Sequence, residues 1–124
     1  MNIVIFGPPG AGKGTQADNL AKNYDLFKVS TGDLLRDEIN KKTKLGTKIS
    51  SIINQGSFVE DNIIDSLIET IISTPSNQNR MIFDGYPRNL NQAEKLDLLL
   101  NKYNQKIFSV ISLNVDKDTV IKRI

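Results

Sequence analysis

Short apolar runs along this chain alternate with longer segments whose apolar residues recur at helical spacing. The runs at residues 3–6, 27–30 and 81–84 have the length of buried strands, and residues 106–115 predict a longer one. The apolar content of that longer strand predicts that it is buried, and its apolar residues include Ile107, Val110, Ile111 and Leu113. Strands that alternate with helices predict an α/β fold with a parallel sheet and right-handed crossovers.

Between the second and third strands the pattern predicts three helices. The first opens with Ser30 or Thr31 as its cap, and a polar break follows at residues 41–46. A short second helix ends at Gly56. The third begins at Asp61 and carries a broad stripe of isoleucine and leucine at i, i+4 spacing, which predicts one buried face.

Two further helices are predicted in the second half of the chain. One runs from about residue 89 or 91 to about residue 102, with Leu96, Leu99 and Leu100 facing inward. The other covers residues 116–124, where the sequence ends without a glycine, a proline or a polar run that would stop a helix. We therefore expect that the chain is part of a longer protein.

A glycine-rich turn joins the first strand to the first helix. Residues 7–15 read GPPGAGKGT, so that Gly7, Gly12 and Lys13 have the G-x-x-x-x-G-K spacing. A strand, this turn and a helix in that order predict a phosphate-binding loop, against the alternative of an ordinary Gly/Pro turn. Glycines let the backbone approach phosphate oxygens, and the helix N-terminus adds N–H donors and its dipole. Lys13 supplies a mobile positive charge.

The loop departs from the common motif at the position that supplies a magnesium ligand. Ser or Thr usually follows the lysine, whereas here Gly14 follows it and Thr15 comes one residue later. Because Mg²⁺ sheds water reluctantly, we expect it to depend on waters and on a carboxylate elsewhere. Asp84 ends a buried strand and is the candidate, acting through water; its alternative interpretation is a helix or turn cap.

Two arginines follow turns at the side of a parallel sheet where ligands bind. These are Arg36 and Arg88, and a guanidinium group suits bidentate phosphate contacts. The alternative for each, taken alone, is a solvated surface residue.

Composition narrows the class of protein. The 124 residues are 39% hydrophobic and 24% charged, which is typical of one soluble domain. A net charge of +2 gives no argument for binding to nucleic acid or to membranes. With no cysteine and no histidine, disulfides, thiolate metal sites and histidine-based catalysis are excluded within this stretch. Since no apolar run could span a bilayer and no leader pattern is visible, we expect a cytoplasmic protein.

Three motifs together resemble the adenylate kinase family. They are GPPGAGKGT at residues 7–15, STGDLLR at 30–36 and DGYPRNLNQA at 84–93, in the order and spacing of that family. The resemblance covers the whole chain. It implies a P-loop core of helices around a parallel sheet, at residues 1–29 and 60–124, and a helical insert at 30–59 that binds a nucleoside monophosphate. The family's lid, final strand and C-terminal helix would follow Ile124, so we expect an incomplete sheet.

The resemblance also implies a reaction, the reversible transfer of a phosphoryl group from Mg-ATP to AMP to give two ADP. ATP would be held by Gly10, Ala11, Gly12, Lys13, Gly14, Thr15 and Arg123, the last near the adenine. AMP would be held by Thr31, Arg36, Ser57, Phe58, Val59, Gly85, Tyr86, Pro87, Arg88 and Gln92. The two arginines would bind its phosphate and Gln92 its adenine edge. Catalytic roles would fall to Lys13, Asp84 and Arg88, with Mg²⁺ held by Asp84 through water.

The chain departs from the family pattern in places, and other functions stay open. Tyr86 stands where phenylalanine is common, and Ser57 stands where lysine or glutamine is frequent. Lys122 lies next to Arg123 and could be confused with it. The alternatives are a kinase for UMP or CMP and a nucleotide-binding module without catalysis. We expect a monomer that acts on nucleotides and not on nucleic acid. The 124 residues alone should be inactive, because the lid arginines of the family are not among them.

Overall fold

The computed structural model describes residues 1–8, 10–57, 59–115 and 120–121. The strands are β1 (Asn2–Phe6), β2 (Phe27–Ser30), β3 (Met81–Asp84), β4 (Ile107–Ser112), β5 (Asn114–Val115) and β6 (Val120–Ile121). The helices are α1 (Lys13–Asn23), α2 (Thr31–Asn40), α3 (Lys44–Asn54), α4 (Asp61–Ile72) and α5 (Leu90–Lys102), with a 3₁₀ turn at Pro75–Asn77. Each helix within the described residues is too short or too polar to span a bilayer.

Four strands form one parallel sheet in the order β2-β3-β1-β4. This arrangement confirms the predicted α/β class. Because β1 and β3 are neighbours in register, with Ile5 beside Asp84, the segments that follow these two strands start at the same edge of the sheet. That edge is where parallel α/β proteins place their ligands.

Helices cover both faces of the sheet. Ile3 and Ile5 pack with Ala17 and Leu20 of α1 on one face. Val4, which alternates with them, packs on the other face with apolar residues of α4 and α5 such as Ile68. As the sequence predicts, Leu96, Leu99 and Leu100 of α5 are buried in this second cluster. Because both faces of the sheet are packed against helices, the strand ends that form its ligand-binding edge are held in place.

Helices α2 and α3 pack closely against each other within the predicted insert. The polar break expected at residues 41–46 is shorter than predicted, because the Thr43 hydroxyl accepts a hydrogen bond from the backbone N–H of Gly46 (2.9 Å) and starts α3 at Lys44. Gly46 lies inside that helix, and a Cβ there would be 2.2 Å from the carbonyl oxygen of Glu38 in α2. This glycine therefore permits the two helices to touch.

The strand predicted at residues 106–115 is interrupted. β4 ends at Ser112, and the buried Leu113 donates its N–H to the carbonyl of Phe6 (2.8 Å) before β5 begins. The expectation that this strand is buried is wrong at Val110, whose exposed fraction is 58%. Residues alternate across this strand, so Val110 shares the outer face with Phe108.

The prediction of a helix at residues 116–124 is wrong at residues 120 and 121, the part of this range that the structure describes. Val120 and Ile121 form β6, which pairs antiparallel with β5. Both residues are β-branched, and such residues favour strands over helices. The other residues of this predicted helix lie outside the described residues.

Candidate active site

The glycine-rich turn at the carboxyl end of β1 presents open backbone. Gly10 and Gly12 have positive φ angles of 88° and 80°. A Cβ on Gly10, Gly12 or Gly14 would meet no heavy atom within 4 Å. Gly12 directly precedes α1, so the free N–H groups of the first helical turn adjoin this space. The turn thus combines room for an anion with the N-terminus of a helix.

Asp84, at the end of β3, is nearly buried and is approached by two ammonium groups. Lys13, the first residue of α1, donates a hydrogen bond to its Oδ1. The Nζ of Lys28 lies 3.8 Å from its Oδ2. Lys28 also donates to Asp18 at 2.8 Å, and this hydrogen bond raises the pKa of Lys28 against the opposite effect of burial. The paired charges hold Lys13 beside the glycine-rich turn.

The surroundings of Asp84 fit a magnesium ion that keeps part of its water shell. The described residues contain no cluster of three or more His, Cys, Asp or Glu side chains that could enclose a metal. Asp84 offers one carboxylate at the sheet edge, and Thr15 is exposed on the first turn of α1. Mg²⁺ is commonly bound by one or two carboxylates, waters and substrate phosphates, which this arrangement can accommodate.

Two clefts open at this edge of the sheet. The phosphate cleft, about 370 Å³, is lined by residues that include Gly7, Lys13, Gly85, Pro87 and Arg88. The insert cleft, about 480 Å³, lies where the insert meets α4 and α5, and its lining includes Thr31, Ser57, Val59, Asp61, Arg88 and Gln92. Arg88 belongs to both linings, so its side chain marks where the two clefts meet.

Gln92, in the first turn of α5, has both ends of its amide hydrogen-bonded. Its Oε1 accepts from the backbone N–H of Arg88 at 2.7 Å, and its Nε2 donates to Oδ1 of Asp61 at 2.9 Å. Its own backbone N–H donates to the Asn89 side chain, which caps the helix. The exposed fraction of Gln92 is 6%, so the amide is held at the cleft wall.

Tyr86 lies beneath the insert cleft. Its ring is buried and its hydroxyl donates to Oδ1 of Asp65 at 2.8 Å. Burial, together with this carboxylate, raises the pKa of Tyr86 far above its ordinary value. The side chain therefore supports the turn that carries Gly85 and Arg88.

The structure brings together part of the predicted AMP residues. Beside Gly85 lie the hydroxyl of Thr31 and the guanidinium group of Arg88, which also donates from Nε to the Gly85 carbonyl at 2.8 Å. Arg36 projects from α2 beside Gly32, pairs with the exposed Asp33, and is not part of either cleft lining. Two further predicted site residues, Phe58 and Arg123, lie outside the described residues.

Comparison with known proteins identifies the family. The family model described as adenylate kinase matches residues 5–124. The chain belongs to the adenylate kinase family. This confirms the resemblance seen in the three sequence motifs.

Individual adenylate kinases are similar to the chain along its whole length. The chain is 51% identical to one from Pelagibacter ubique and covers 58% of that protein. It is 46% identical to one from Chloroherpeton thalassium and 41% identical to one from Archaeoglobus fulgidus, each with 57% of the relative covered. The chain thus spans little more than half the length of the curated adenylate kinases that it matches.

Three residues in or beside the two clefts are not predicted by any sequence motif. Lys28 was read only as part of a strand, although it faces Asp84 across the sheet edge. Asp61 is predicted only as the start of a helix and Asp65 belongs to no motif, yet they accept hydrogen bonds from Gln92 and Tyr86. Their i, i+4 spacing places both on one helix face, but only the packing of α4 against α5 shows what that face meets.

Proposed function

We propose that this chain provides the ATP-phosphate and AMP sites of an adenylate kinase that transfers a phosphoryl group reversibly from Mg-ATP to AMP. The observation that carries the proposal is that the side chain of Arg88 belongs to both clefts. Phosphoryl transfer requires donor and acceptor phosphates to meet in line beside positive charge. A cation at the junction of two clefts suits that requirement.

On the ATP side, the glycine-rich turn and the start of α1 bind the phosphates. The N–H groups of Gly10 and of residues 12–15 donate to phosphate oxygens, and Lys13 moves its ammonium group from Asp84 onto the bound anion. The N–H of Ala11 donates to the carbonyl of Pro8 instead (3.2 Å). Asp84 would hold the Mg²⁺ through water, and the ion would neutralise part of the phosphate charge. Arg123 near the ATP adenine stays part of this proposal.

On the AMP side, the insert cleft receives the monophosphate nucleotide. Arg88 binds its phosphate, Thr31, Ser57 and Val59 border it, and Gln92 contacts the adenine edge. The phosphate contact expected of Arg36 and the contact expected of Phe58 stay predictions, because Arg36 is not part of the cleft lining and Phe58 lies outside the described residues. Because the phosphate oxygen of AMP is already anionic, no general base is needed. Positioning and charge do the catalytic work.

The proposal is tested by binding to the chain itself. AMP and ATP should each bind saturably, and should bind together rather than compete. A dinucleotide of two adenosines joined by five phosphates should compete with both, because it spans both clefts. Isothermal titration or NMR titration measures this. Competition between AMP and ATP for one site would contradict the two-cleft assignment.

Two substitutions test the assignment of the insert cleft. Arg88→Lys keeps the charge but loses the planar fork, so AMP affinity should fall far more than ATP affinity. Gln92→Leu should narrow the preference for AMP over UMP. Equal weakening of both nucleotides by Arg88→Lys, or an unchanged AMP/UMP ratio in Gln92→Leu, would count against these roles. Preferred binding of UMP or CMP would point to another monophosphate kinase.

The noncatalytic alternative needs a turnover measurement. A protein with the full length of the relatives that binds both nucleotides yet forms no ADP would be a binding module. The cytoplasmic location and the monomeric state expected from the sequence belong to the same proposal.

A further inference from the structure

The amide of Gln92 has only one orientation that its neighbours allow. The backbone N–H of Arg88 can only donate, so the amide atom 2.7 Å from it must be the oxygen. The carboxylate of Asp61 accepts, so the amide atom 2.9 Å from it must be the nitrogen. Turning the amide over would set donor against donor at Arg88 and acceptor against acceptor at Asp61.

Each amide atom of Gln92 keeps one free hydrogen-bonding position. The nitrogen has a second hydrogen, and the oxygen has a second lone pair. These match a base edge on which a ring-nitrogen acceptor lies beside a 6-amino donor, as in adenine. A 6-oxo purine such as hypoxanthine has the reverse pattern, a ring N–H beside a carbonyl oxygen, and it would need the amide turned over.

We infer that Asp61 is a specificity-positioning residue: its carboxylate fixes the Gln92 amide in the orientation that accepts a 6-amino purine and rejects a 6-oxo purine. The inference rests on the proposed function, since it concerns the base bound in the insert cleft. Asp61 and Gln92 both line the insert cleft but lie on different helices, Asp61 on α4 and Gln92 on α5. Asp61 can therefore hold the Gln92 amide from across the cleft wall. The second carboxylate oxygen of Asp61 is 3.5 Å from the side-chain nitrogen of Asn89, which steadies it.

The test compares AMP with IMP, because the two nucleotides share ribose and phosphate and differ at the base edge. In the chain with Asp61→Ala, the ratio of IMP to AMP dissociation constants should fall by about two- to tenfold, the range that one net hydrogen bond gives in an equilibrium constant. The Arg88 N–H still holds the amide oxygen, so the preference should narrow rather than reverse.

Two variants separate amide orientation from charge and from folding. Asp61→Asn keeps an oxygen that can accept from Gln92, so it should preserve the IMP/AMP ratio although it removes the charge. Glu60→Ala removes an exposed carboxylate from the adjacent residue, which makes no cap hydrogen bond, and should also leave the ratio unchanged. Far-ultraviolet circular dichroism checks that each variant is folded.

A second readout needs no nucleotide. Exchange of the Gln92 side-chain amide protons, followed by ¹⁵N NMR, should be slow in the unaltered chain and in Asp61→Asn, and faster in Asp61→Ala. If AMP binds and the IMP/AMP ratio is the same in Asp61→Ala as in the unaltered chain, the inference is wrong and the proposed function survives. A ratio that falls equally in Asp61→Asn would also overturn it. If the unaltered chain binds no AMP, the proposed function fails and the inference fails with it.

Discussion

The phosphate cleft and the insert cleft lie side by side but are built from different chemical groups. Around the glycine-rich turn, Gly10, Gly12 and Gly14 expose backbone with empty space beyond each Cα. Around the insert cleft, the amide of Gln92 is hydrogen-bonded at both ends by protein groups. The phosphate cleft therefore offers free main-chain N–H groups, whereas the insert cleft offers a side chain that its neighbours hold in place.

This difference fits the ligands that we propose for the two clefts. A polyphosphate is a dense anion, which many N–H groups and one lysine can bind without detailed matching. A base must be distinguished by the order of donors and acceptors along its edge, so the contacting amide must not turn over. A glycine-rich backbone is therefore sufficient to bind a charged group, whereas recognition of a base needs a side chain whose orientation is fixed by neighbouring groups.

The largest expected effect concerns both clefts at once. Residues 1–124 produced alone should bind nucleotides only weakly and should form no ADP from ATP and AMP in a coupled assay. The reason is that loss of even one well-placed donor costs about 10²–10³ in rate, and the family's lid supplies several. A rate near that of a relative of full length would show that the two clefts suffice.

Lys13→Ala should separate the two clefts. Its ammonium group is the mobile charge of the phosphate cleft, and hydrogen bonds to charged groups contribute about 1.5–3 kcal/mol, so ATP affinity should fall by roughly tenfold to a hundredfold. AMP affinity should change little, as measured by titration calorimetry. Lys22→Ala, an exposed lysine at the end of the same helix, is the matched control. If AMP affinity fell as much as ATP affinity, Lys13 would not belong to the phosphate cleft alone, and the contrast between the two clefts would be wrong.

Two glycine substitutions should act on different properties. Gly46→Ala places a Cβ 2.2 Å from a backbone oxygen of α2, so the free energy of unfolding should fall by about 1–3 kcal/mol, or more if the helices cannot shift. Gly14→Ala meets open space and should leave stability nearly unchanged while ATP affinity falls. Urea denaturation and ATP titration of both variants measure this. Similar stability losses would mean that the turn is packed like the insert.

The smallest effect is expected from the hydroxyl of Tyr86. Tyr86→Phe should lower the free energy of unfolding by about 0.5–1.5 kcal/mol at neutral pH, because the hydrogen bond to Asp65 is lost.

The pH dependence gives this prediction a second check. Since the folded state raises the pKa of Tyr86, its hydroxyl stabilises the fold fully below about pH 10 and progressively less above it, where the unfolded chain ionises. The difference between the unaltered chain and Tyr86→Phe should therefore shrink between pH 9 and pH 11 in urea denaturation. Tyr24→Phe, at an exposed position, is the control and should show no such trend.

The sequence predicted the parts that depend on local pattern. The strands at β1, β2 and β3 and the start of α1 at Lys13 follow from apolar runs and a glycine-rich turn, and the structure confirms them. It could not predict that Val110 points outward, because an apolar strand residue is equally compatible with either face until its neighbours are known. The sequence pattern also predicted a helix at Val120 and Ile121, but these residues form a strand because they pair with β5.

For the candidate site, sequence patterns identified the residues that we propose to contact ligands and missed those that hydrogen-bond to them. Lys13, Asp84, Arg88 and Gln92 lie in recognisable motifs, and the structure places all four at one edge of the sheet or on the cleft walls. Asp61 has no motif, since an acid at the start of a helix is ordinary. Its role becomes visible only when α5 brings Gln92 within 2.9 Å.

The contact at Gly46 has a mechanical consequence. Because α2 and α3 touch backbone to backbone there, sliding one helix along the other would press main-chain atoms together, so we expect the pair to move as one rigid body. Rotation is left to the two ends of the pair, and at one of them Gly56 has a positive φ of 75°. For a ligand bound in the insert cleft, a pair of this kind would need to order few backbone angles, so little of the binding energy would be lost to conformational entropy.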